Sequence, residues 1–500
     1  MRVLLFYSVG DAFTRAHPLG TQEQLQFGLS YISSVLKKHG HETDLLVVSS
    51  LRGSKNAAAI RTRFESFRPD VVGFYAVATE FAYIQSVARF IRSLSPGCYL
   101  VIGGPHAVLC PEVAVEGPFD AVCIGEGEFP TLELVSSLAE GRTPSGIAGM
   151  WIRTGGRVEK NPPRPFLEDL DALPFPDRAL WLEYFDYPVS RPSLLLGRGC
   201  PFTCSYCSNH ALKKTSPGKY VRTRSPASIA AEAADLKANY RFPRRAEIYL
   251  EIESFGVDIE WAVAVCGKLK GLSAEPGPAL RYGANLRVVP NMDVERLFAA
   301  MADADFRHVN IGLEAGSERV RSEVLRRHYS NDDVIRAVDA ARRHGLEVHL
   351  FNMIGLPGET YSDHLETVRI NRLCQPDRNH TGVFFPYPGT DLYRHCANLG
   401  LPVGRLDVRR ERMHAVMDLP GFSARQIQRA FWLFNFRVYR GRKPPAWWIP
   451  PPLVHRRIPL WLHKPLKSLY LRLKARGSRG EGGGRGANLA AHDPAPRPPT

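Results

Sequence analysis

The sequence predicts an α/β protein that carries two parallel sheets, one after the other. Short apolar runs alternate with stretches of helical periodicity over residues 1–141 and again over residues 192–401. This alternation is typical of parallel strands joined by crossover helices. The first series has five strands and predicts a flavodoxin-like, Rossmann-type sheet. The second has six strands and predicts a partial (β/α)6 barrel, which a helical, basic carboxyl-terminal extension follows.

Length and composition limit the class of protein. A chain of 500 residues is long enough for two to four domains. Its nine cysteines, the absence of a hydrophobic leader and the lack of any apolar run near the ~20 residues that span a bilayer indicate a protein of the reducing cytoplasm. The net charge is +15, but fourteen Lys and Arg and no acidic residue lie between Leu419 and Gly480, so the remainder is nearly neutral.

The first series of elements is expected to form a domain over residues 1–141. Helices are predicted from Glu23 to His39, where Gly40 follows, and from Phe81 to Leu94, where Pro96-Gly97 follows. The expected strands are Arg2–Tyr7, Thr43–Val48, Asp70–Phe74, Tyr99–Ile102 and Ala121–Ile124.

Two glycine-rich loops follow the fourth and fifth strands. They are Gly103-Gly104-Pro105-His106 and Gly125-Glu126-Gly127-Glu128. Glycine allows the backbone to approach a ligand closely, and ligands of such sheets bind beyond the carboxyl ends of the strands. Tight turns also use glycine, so each loop alone is equally consistent with a turn.

Residues 142–191 are predicted to be a linker. Proline recurs through Pro162–Pro165 and Leu173–Pro176 and interrupts any long element. A small hairpin is expected over Trp151–Val158.

The second series, residues 192–401, is expected to place polar side chains at the carboxyl ends of barrel strands, where functional residues of such barrels gather. The predicted helices are Ser225 to Tyr240, Glu260 to Leu269, Val294 to Ala304 and Asp332 to His344. The predicted strands are Leu194–Leu196, Glu247–Ile252, Leu280–Asn285, His308–Glu314, Glu347–Met353 and Gly382–Phe385.

Three cysteines follow the first barrel strand at C-x3-C-x2-C spacing. Cys200, Cys204 and Cys207 could hold an iron–sulfur cluster that keeps one iron without a protein ligand. His210 follows three residues after Cys207, so a Cys3His zinc site also fits the spacing. The third alternative is that these are ordinary buried cysteines that bind no metal.

The cysteine motif, with Tyr206 at its aromatic position, resembles the C-x3-C-x-aromatic-C signature of the radical S-adenosylmethionine (SAM) enzymes. The resemblance implies that the three cysteines hold a 4Fe-4S cluster and that SAM chelates the fourth iron. It gives no metal role to His210. It also implies SAM contacts along the barrel, at Tyr206, Glu253, Asn285, Arg287, Glu314, Met353 and Gly355.

The amino-terminal segment, with its two loops in this order, resembles the cobalamin-binding domain that precedes many radical SAM domains. The chain lacks the Asp-x-His-x-x-Gly motif that places a histidine under cobalt. The resemblance implies that the loops border the cobalamin, through Gly103, Gly104, Pro105, His106, Gly125, Glu126, Gly127 and Glu128.

The resemblance as a whole implies an enzyme that cleaves SAM reductively and methylates an unactivated carbon of a small-molecule or lipid-like substrate. A cyclisation or other oxidation, as in anaerobic magnesium-protoporphyrin ester cyclases, is the alternative within the family. A non-catalytic corrin or redox sensor is the alternative outside it. An electron donor such as flavodoxin or ferredoxin is an expected partner, and a nucleic acid is not.

The basic extension, residues 402–476, is expected to begin with an aromatic helix over Ser423–Tyr439. Trp447-Trp448 and Pro459–Leu462 then lie among Lys and Arg. This mixture fits a packed helical cap, a segment that contacts the inner membrane surface, or a site for an anionic ligand. Residues 477–500, rich in Gly, Ala and Pro, are predicted to be disordered.

Overall fold

The computed structural model describes residues 1–10, 25–185, 192–240, 245–274, 277–403, 410–444 and 448. The chain divides into two units, residues 1–431 and 432–500. Both sheets belong to the first unit, so the predicted Rossmann-type domain and the predicted partial barrel form one compact unit.

The first sheet has seven strands in the order β2-β1-β3-β4-β5-β6-β7. Strands β1 to β5 are parallel and keep the flavodoxin order, which confirms the predicted fold class. The predicted hairpin pairs antiparallel with β5 and extends the sheet. The strands are β1 Arg2–Val9, β2 Glu42–Ser49, β3 Val71–Tyr75, β4 Tyr99–Gly103, β5 Ala121–Cys123, β6 Met150–Thr154 and β7 Arg157–Lys160.

Helices cover both faces of this sheet, and a separate apolar core lies on each face. The strands are buried on both faces because crossover helices pack there, which explains their unbroken apolar runs. Helix α2 was not predicted: Ile60 is its one buried residue, so its apolar pattern is weak. The helices are α1 Phe27–Lys38, α2 Ala57–Phe67, α3 Phe81–Leu94, α4 Pro105–Leu109, α5 Pro111–Val115 and α6 Glu128–Ala139.

The second sheet has six parallel strands in the order β15-β14-β13-β12-β11-β8. The strands follow chain order without closure, which confirms a partial barrel. A short antiparallel pair, β9 with β10, lies beside it. The strands are β8 Ser193–Leu195, β9 Gly197–Arg198, β10 Arg222–Thr223, β11 Arg245–Glu251, β12 Ala279–Leu286, β13 Phe306–Glu314, β14 Glu347–Ile354 and β15 Arg378–Val383.

Side-chain caps begin several of the barrel helices. The Ser225 hydroxyl accepts from the Ser228 backbone, as Ser225-Pro226 predicts. Thr360 and Asp363 form a capping box at a helix that was not predicted. The helices are α7 Asn209–Leu212, α8 Pro226–Asn239, α9 Ile259–Ala274, α10 Val294–Asp303, α11 Asn331–Arg343, α12 Tyr361–Cys374 and α13 Asp391–Asn398.

The last barrel strand differs from its prediction. It was expected over Gly382–Phe385, and it begins at Arg378 and ends at Val383. β15 is the edge strand of the sheet, so its first residues are polar and only partly buried, and they carry no apolar pattern.

Helix α14, Ala424–Tyr439, confirms the aromatic helix predicted at the start of the extension. In the second unit the rings of Phe436 and Trp448 meet edge to face, 5.5 Å apart. Apart from Trp448, the predictions for residues 445–476 and 477–500 lie outside the described residues. No helix within the described ranges is both long and apolar enough to cross a bilayer.

Candidate functional site

One cavity of about 620 Å3 joins the carboxyl-terminal edges of the two sheets within the first unit. From the first sheet, the loops after β4 and β5 line it; from the barrel side, the end of β11 and the β9 segment do so. The cavity therefore lies where both fold types bind their ligands.

Seven of the eight residues in the two glycine-rich loops line this cavity, all except His106. Gly104 has φ +91°, and a Cβ there would lie 2.8 Å from the backbone N and O of Ala76. A Cβ on Gly127 would come within 3.0 Å of Ile32. Gly104 therefore excludes a side chain and Gly127 leaves little room for one, so the loops offer bare backbone to a large planar ligand such as a corrin.

His106 is directed elsewhere. Its ring packs against Phe81 with centroids 4.3 Å apart, and its Nε2 is buried. Burial lowers the pKa of His106, so the imidazole is neutral near pH 7. The prediction that His106 contacts the corrin remains without structural support.

The three motif cysteines lie on the loop between β9 and α7. Gly199 opens this loop at φ +83°, where a Cβ would lie 2.2 Å from the carbonyl oxygen of Tyr220. Cys204 is buried, and Cys200 and Cys207 are half-buried. Burial raises the pKa of Cys200 to about 11, with Glu253 and the other two cysteines adding to the rise. A metal would be needed to hold these thiols as thiolates.

The environment of His210 favours a cluster over a single zinc ion. His210, the fourth ligand of the zinc alternative, faces Asp391: its Nε2 accepts from the Asp391 backbone N–H at 3.2 Å. A cluster spreads three thiolates over three irons and needs no fourth side chain.

Two arginines support the cysteine loop, and sequence reasoning identified only one. Arg287 donates from Nη1 to Cys204 Sγ at 2.7 Å, and its guanidinium lies 3.6 Å from the centre of the Phe202 ring. Arg327 was missed because it lies in a turn outside every motif. It donates to the Tyr206 hydroxyl at 2.8 Å and to Glu314 Oε1 at 2.6 Å.

Glu314 is thus already paired. Its backbone has φ +63°, and the pair with Arg327 is buried. The predicted SAM-side residues therefore divide. Glu253 and Asn285 line the cavity. The other five predicted SAM contacts are not among the described residues that line the cavity: Tyr206, Arg287, Glu314, Met353 and Gly355.

Asn285 is held by a hydrogen-bond network in the barrel. Its Oδ1 accepts from the Tyr249 hydroxyl at 2.5 Å and from Asn310 Nδ2 at 3.1 Å. Asn310 Oδ1 lies 3.0 Å from His349 Nδ1. With Oδ1 occupied, Asn285 can present its amide N–H groups to the cavity as donors.

The loop after β14 is organised by a buried carboxyl. Glu359 Oε2 accepts from the backbone N–H groups of Gly355 at 2.6 Å and Leu356 at 3.0 Å. Burial raises the pKa of Glu359 to about 8, although these two donors oppose the rise. Gly355, at φ +83°, packs against Ile427. Glu359 was not among the predicted site residues, although it lies four residues after Gly355, which was.

Two family models match the chain. The radical SAM superfamily model matches residues 194–370, and the B12-binding domain model matches residues 21–135. The chain is a radical SAM enzyme with a B12-binding domain. The two domain types imply three cofactors, a 4Fe-4S cluster, SAM and cobalamin.

Named relatives of this radical SAM enzyme include two kinds of protein. An uncharacterized methyltransferase of Pyrococcus horikoshii is 28% identical over 406 residues, which are 80% of this chain and 85% of the relative. An anaerobic magnesium-protoporphyrin IX monomethyl ester cyclase of Rubrivivax gelatinosus is 26% identical over 382 residues, 74% of this chain and 66% of the cyclase.

A solved structure shares the fold. The radical SAM methyltransferase TsrM of Kitasatospora setae, with cobalamin and a [4Fe-4S] cluster bound, is 19% identical and superposes with a TM-score of 0.68. The alignment covers 95% of this chain and 99% of TsrM.

Proposed function

We propose that this protein is a cobalamin-dependent radical SAM methyltransferase that acts on an unactivated carbon of a small-molecule or lipid-like substrate. The observation that carries the proposal is the single cavity bounded by the glycine loops on one side and the β9 and β11 ends on the other. When bound, the cluster would supply the electron for reductive cleavage of SAM, and cobalamin would carry the methyl group.

Cys200, Cys204 and Cys207 are the proposed cluster ligands. Arg287 donates a hydrogen bond to Cys204 Sγ and so helps to fix the position of that sulfur. Arg327 orients the Tyr206 ring through its hydroxyl and so fixes the loop from the other side.

Glu253 is the proposed partner of the SAM ammonium group. It lines the cavity, and its charge is close enough to raise the pKa values of Cys200 and Cys207. The acid therefore lies near the proposed cluster, where the amine of SAM binds. Asn285 offers donors to the SAM carboxylate from the neighbouring strand.

Methyl transfer is favoured over cyclisation by similarity. The methyltransferase relative is the more similar of the two named relatives in identity and in the share of both chains that is aligned. Cyclisation remains the second candidate because of the cyclase relative. With methyl-labelled SAM and the reduced enzyme, methyl transfer predicts label on cobalamin, and cyclisation predicts none.

Reductive SAM cleavage separates the enzyme from a corrin or redox sensor. The whole protein is reconstituted anaerobically with iron, sulfide and hydroxocobalamin, then given SAM and dithionite. We expect 5′-deoxyadenosine from the wild type and none from Cys204→Ala, which should lose the brown cluster absorbance and still bind hydroxocobalamin. Cys110→Ala, another half-buried cysteine, is the control. Cluster-loaded wild type that releases no 5′-deoxyadenosine would support the sensor.

The electron is proposed to come from a small acidic protein such as flavodoxin or ferredoxin. Lys213, Lys214 and Lys219 are exposed just beyond the cysteine loop. Their charge is complementary to an acidic donor. Lys213→Glu with Lys214→Glu should slow reduction by flavodoxin and leave reduction by dithionite unchanged. Lys268→Glu, exposed on α9, should change neither rate.

A further inference from the structure

A buried group of four charged residues joins the second glycine loop to the cysteine loop. We call it the clasp: Glu126 and Glu128 from the first sheet's side, and Arg198 and Arg222 from the β9–β10 pair. Arg198 donates to Glu126 Oε1 at 2.9 Å and to Glu128 Oε1 at 2.5 Å. Arg222 donates to Glu126 Oε2 at 2.9 Å.

The clasp is balanced in charge and largely shielded from water. The side chains of Arg222 and Glu128 are 3% and 4% exposed, and those of Arg198 and Glu126 are 16% and 20% exposed. Removing one member of such a buried set leaves an uncompensated charge, which is far more costly than losing a surface pair. The contacts are therefore a strong constraint on the backbone segments that carry them.

Glu126 is the member on which the others depend. Arg198 and Arg222 are directly opposite each other across the β9–β10 pair, where like charges repel. Glu126 lies between them and gives one carboxylate oxygen to each. Burial alone would raise the pKa of Glu126, but the two guanidinium groups outweigh it and hold the pKa below its usual value. Glu126 also accepts from the Leu167 backbone at 2.8 Å.

The position of the clasp gives it a mechanical consequence. Glu126 lies between Gly125 and Gly127 in the second glycine loop, and Arg198 lies two residues before Cys200. Although Glu126 and Arg198 are 72 residues apart in the chain, one ion pair joins the two loops. A shift of the second glycine loop therefore moves the start of the cysteine loop.

We propose that the clasp makes Glu126 a positioning residue that couples corrin binding to the order of the cysteine loop. The inference rests on the proposed function in that it takes cobalamin as the ligand of the glycine loops. It changes the predicted role of Glu126: both carboxylate oxygens accept hydrogen bonds within the protein, from Arg198, Arg222 and Leu167, so we assign its effect on the corrin to the backbone of its loop. By reciprocity, an ordered cysteine loop strengthens corrin binding.

Amide hydrogen exchange of the whole protein tests the coupling, with hydroxocobalamin as the probe. In the wild type we expect hydroxocobalamin to slow exchange in peptides that cover residues 121–128 and also in those that cover residues 197–209. In Glu126→Gln the second effect should disappear, and exchange of both segments without ligand should be about tenfold faster. Hydroxocobalamin should also bind more weakly.

Two further variants keep the test decisive. Glu133→Gln removes a glutamate from the same domain that pairs with Arg164 at the surface, and it should behave as the wild type. Glu126→Asp keeps the charge but is too short to reach both arginines, so it should give an intermediate effect even if Glu126→Gln folds poorly. Cobalamin-dependent protection of residues 197–209 that is the same in Glu126→Gln, Glu126→Asp and wild type would overturn the proposal.

The outcome is separable from that of the proposed function. Wild type that binds no hydroxocobalamin would refute the cobalamin part of the proposed function. The amide exchange rates measured without ligand would still test whether the clasp orders the cysteine loop. Unchanged exchange of residues 197–209 in ligand-free Glu126→Gln would then overturn it.

Discussion

At the scale of single residues, the environment of Cys204 combines a thiol, a guanidinium and an aromatic ring. Arg287 lies between Cys204 Sγ and the face of Phe202, where its charge is held by both contacts. A fixed positive charge beside a cluster ligand stabilises the reduced, more negative state of the cluster.

We therefore predict that Arg287→Gln lowers the reduction potential of the cluster by tens of millivolts, because the reduced state loses a cation that contacts one of its proposed ligands. The measurement is a redox titration followed by electron paramagnetic resonance. Arg281→Gln is the control, because Arg281 is exposed on β12, the strand that ends just before Arg287. An unchanged potential in Arg287→Gln would show that the contact with Cys204 has no electrostatic effect on the cluster.

Glu359 gives a prediction about pH. Its pKa is raised to about 8 by burial, so between pH 4.5 and 8 the folded state holds a proton that the unfolded state releases. The free energy of unfolding should then fall as pH rises through this window, by up to about 1.4 kcal/mol per pH unit from this group. Glu359→Gln should flatten that slope in urea unfolding curves.

The control for this prediction is Glu366→Gln, which removes a surface carboxylate of α12 that pairs with Arg369. Its slope between pH 4.5 and 8 should equal that of the wild type. A wild-type slope in Glu359→Gln would mean that Glu359 is ionised in the folded protein, held by the two backbone donors.

At the same scale, motif residues were predictable and their partners were not. Cys200, Cys204 and Cys207 are identified by spacing because a short loop must bring thiolates together. Arg327 reaches Tyr206 across 121 residues of chain, and no local pattern encodes that contact. Glu126 was predicted as a corrin contact. Its pairing with Arg198 and Arg222 was not predicted, because that pairing depends on how two domains meet.

At the scale of elements, the loop after β4 depends on one backbone conformation. Gly104 adopts φ +91°, and a side chain there would overlap the backbone of Ala76 at 2.8 Å. With ψ 172°, this backbone conformation is essentially restricted to glycine and costs another residue roughly 1–3 kcal/mol, and the overlap with a neighbouring strand end adds to it.

We predict that Gly104→Ala displaces this loop and weakens hydroxocobalamin binding at least tenfold in a spectrophotometric titration. The matched variant is Gly141→Ala, where φ is +70° and a Cβ would meet nothing within 4 Å. It should lose a similar conformational contribution to stability and bind hydroxocobalamin as the wild type does. Equal binding by both variants would contradict the role of the loop.

Buried strands were the elements most predictable from the sequence, because a parallel strand covered on both faces needs an apolar run. Two of the elements that were missed or misplaced have weak apolar signals: α2 has a single buried residue, and β15 is a polar edge strand. Helix α12 could have been found from the capping box of Thr360 and Asp363, a signal independent of hydrophobicity.

At the scale of the whole molecule, the central claim is that two cofactor-binding folds share one cavity. The sequence predicted each fold from its own strands and loops. It could not predict that Glu126 and Arg198 would meet, because that contact joins residues of different sheets. The pairing of the β6–β7 hairpin with β5 was not predicted either, since the hairpin was expected in a linker.

The most direct test is the magnetic interaction between the two proposed metal centres in the reconstituted protein. The spin relaxation of cob(II)alamin is measured by electron paramagnetic resonance with the cluster oxidised and with it reduced. If corrin and cluster face each other across the cavity, reduction of the cluster should clearly accelerate relaxation, and Cys204→Ala should abolish the effect. Relaxation that does not respond to the cluster, with both cofactors loaded, would contradict the shared cavity.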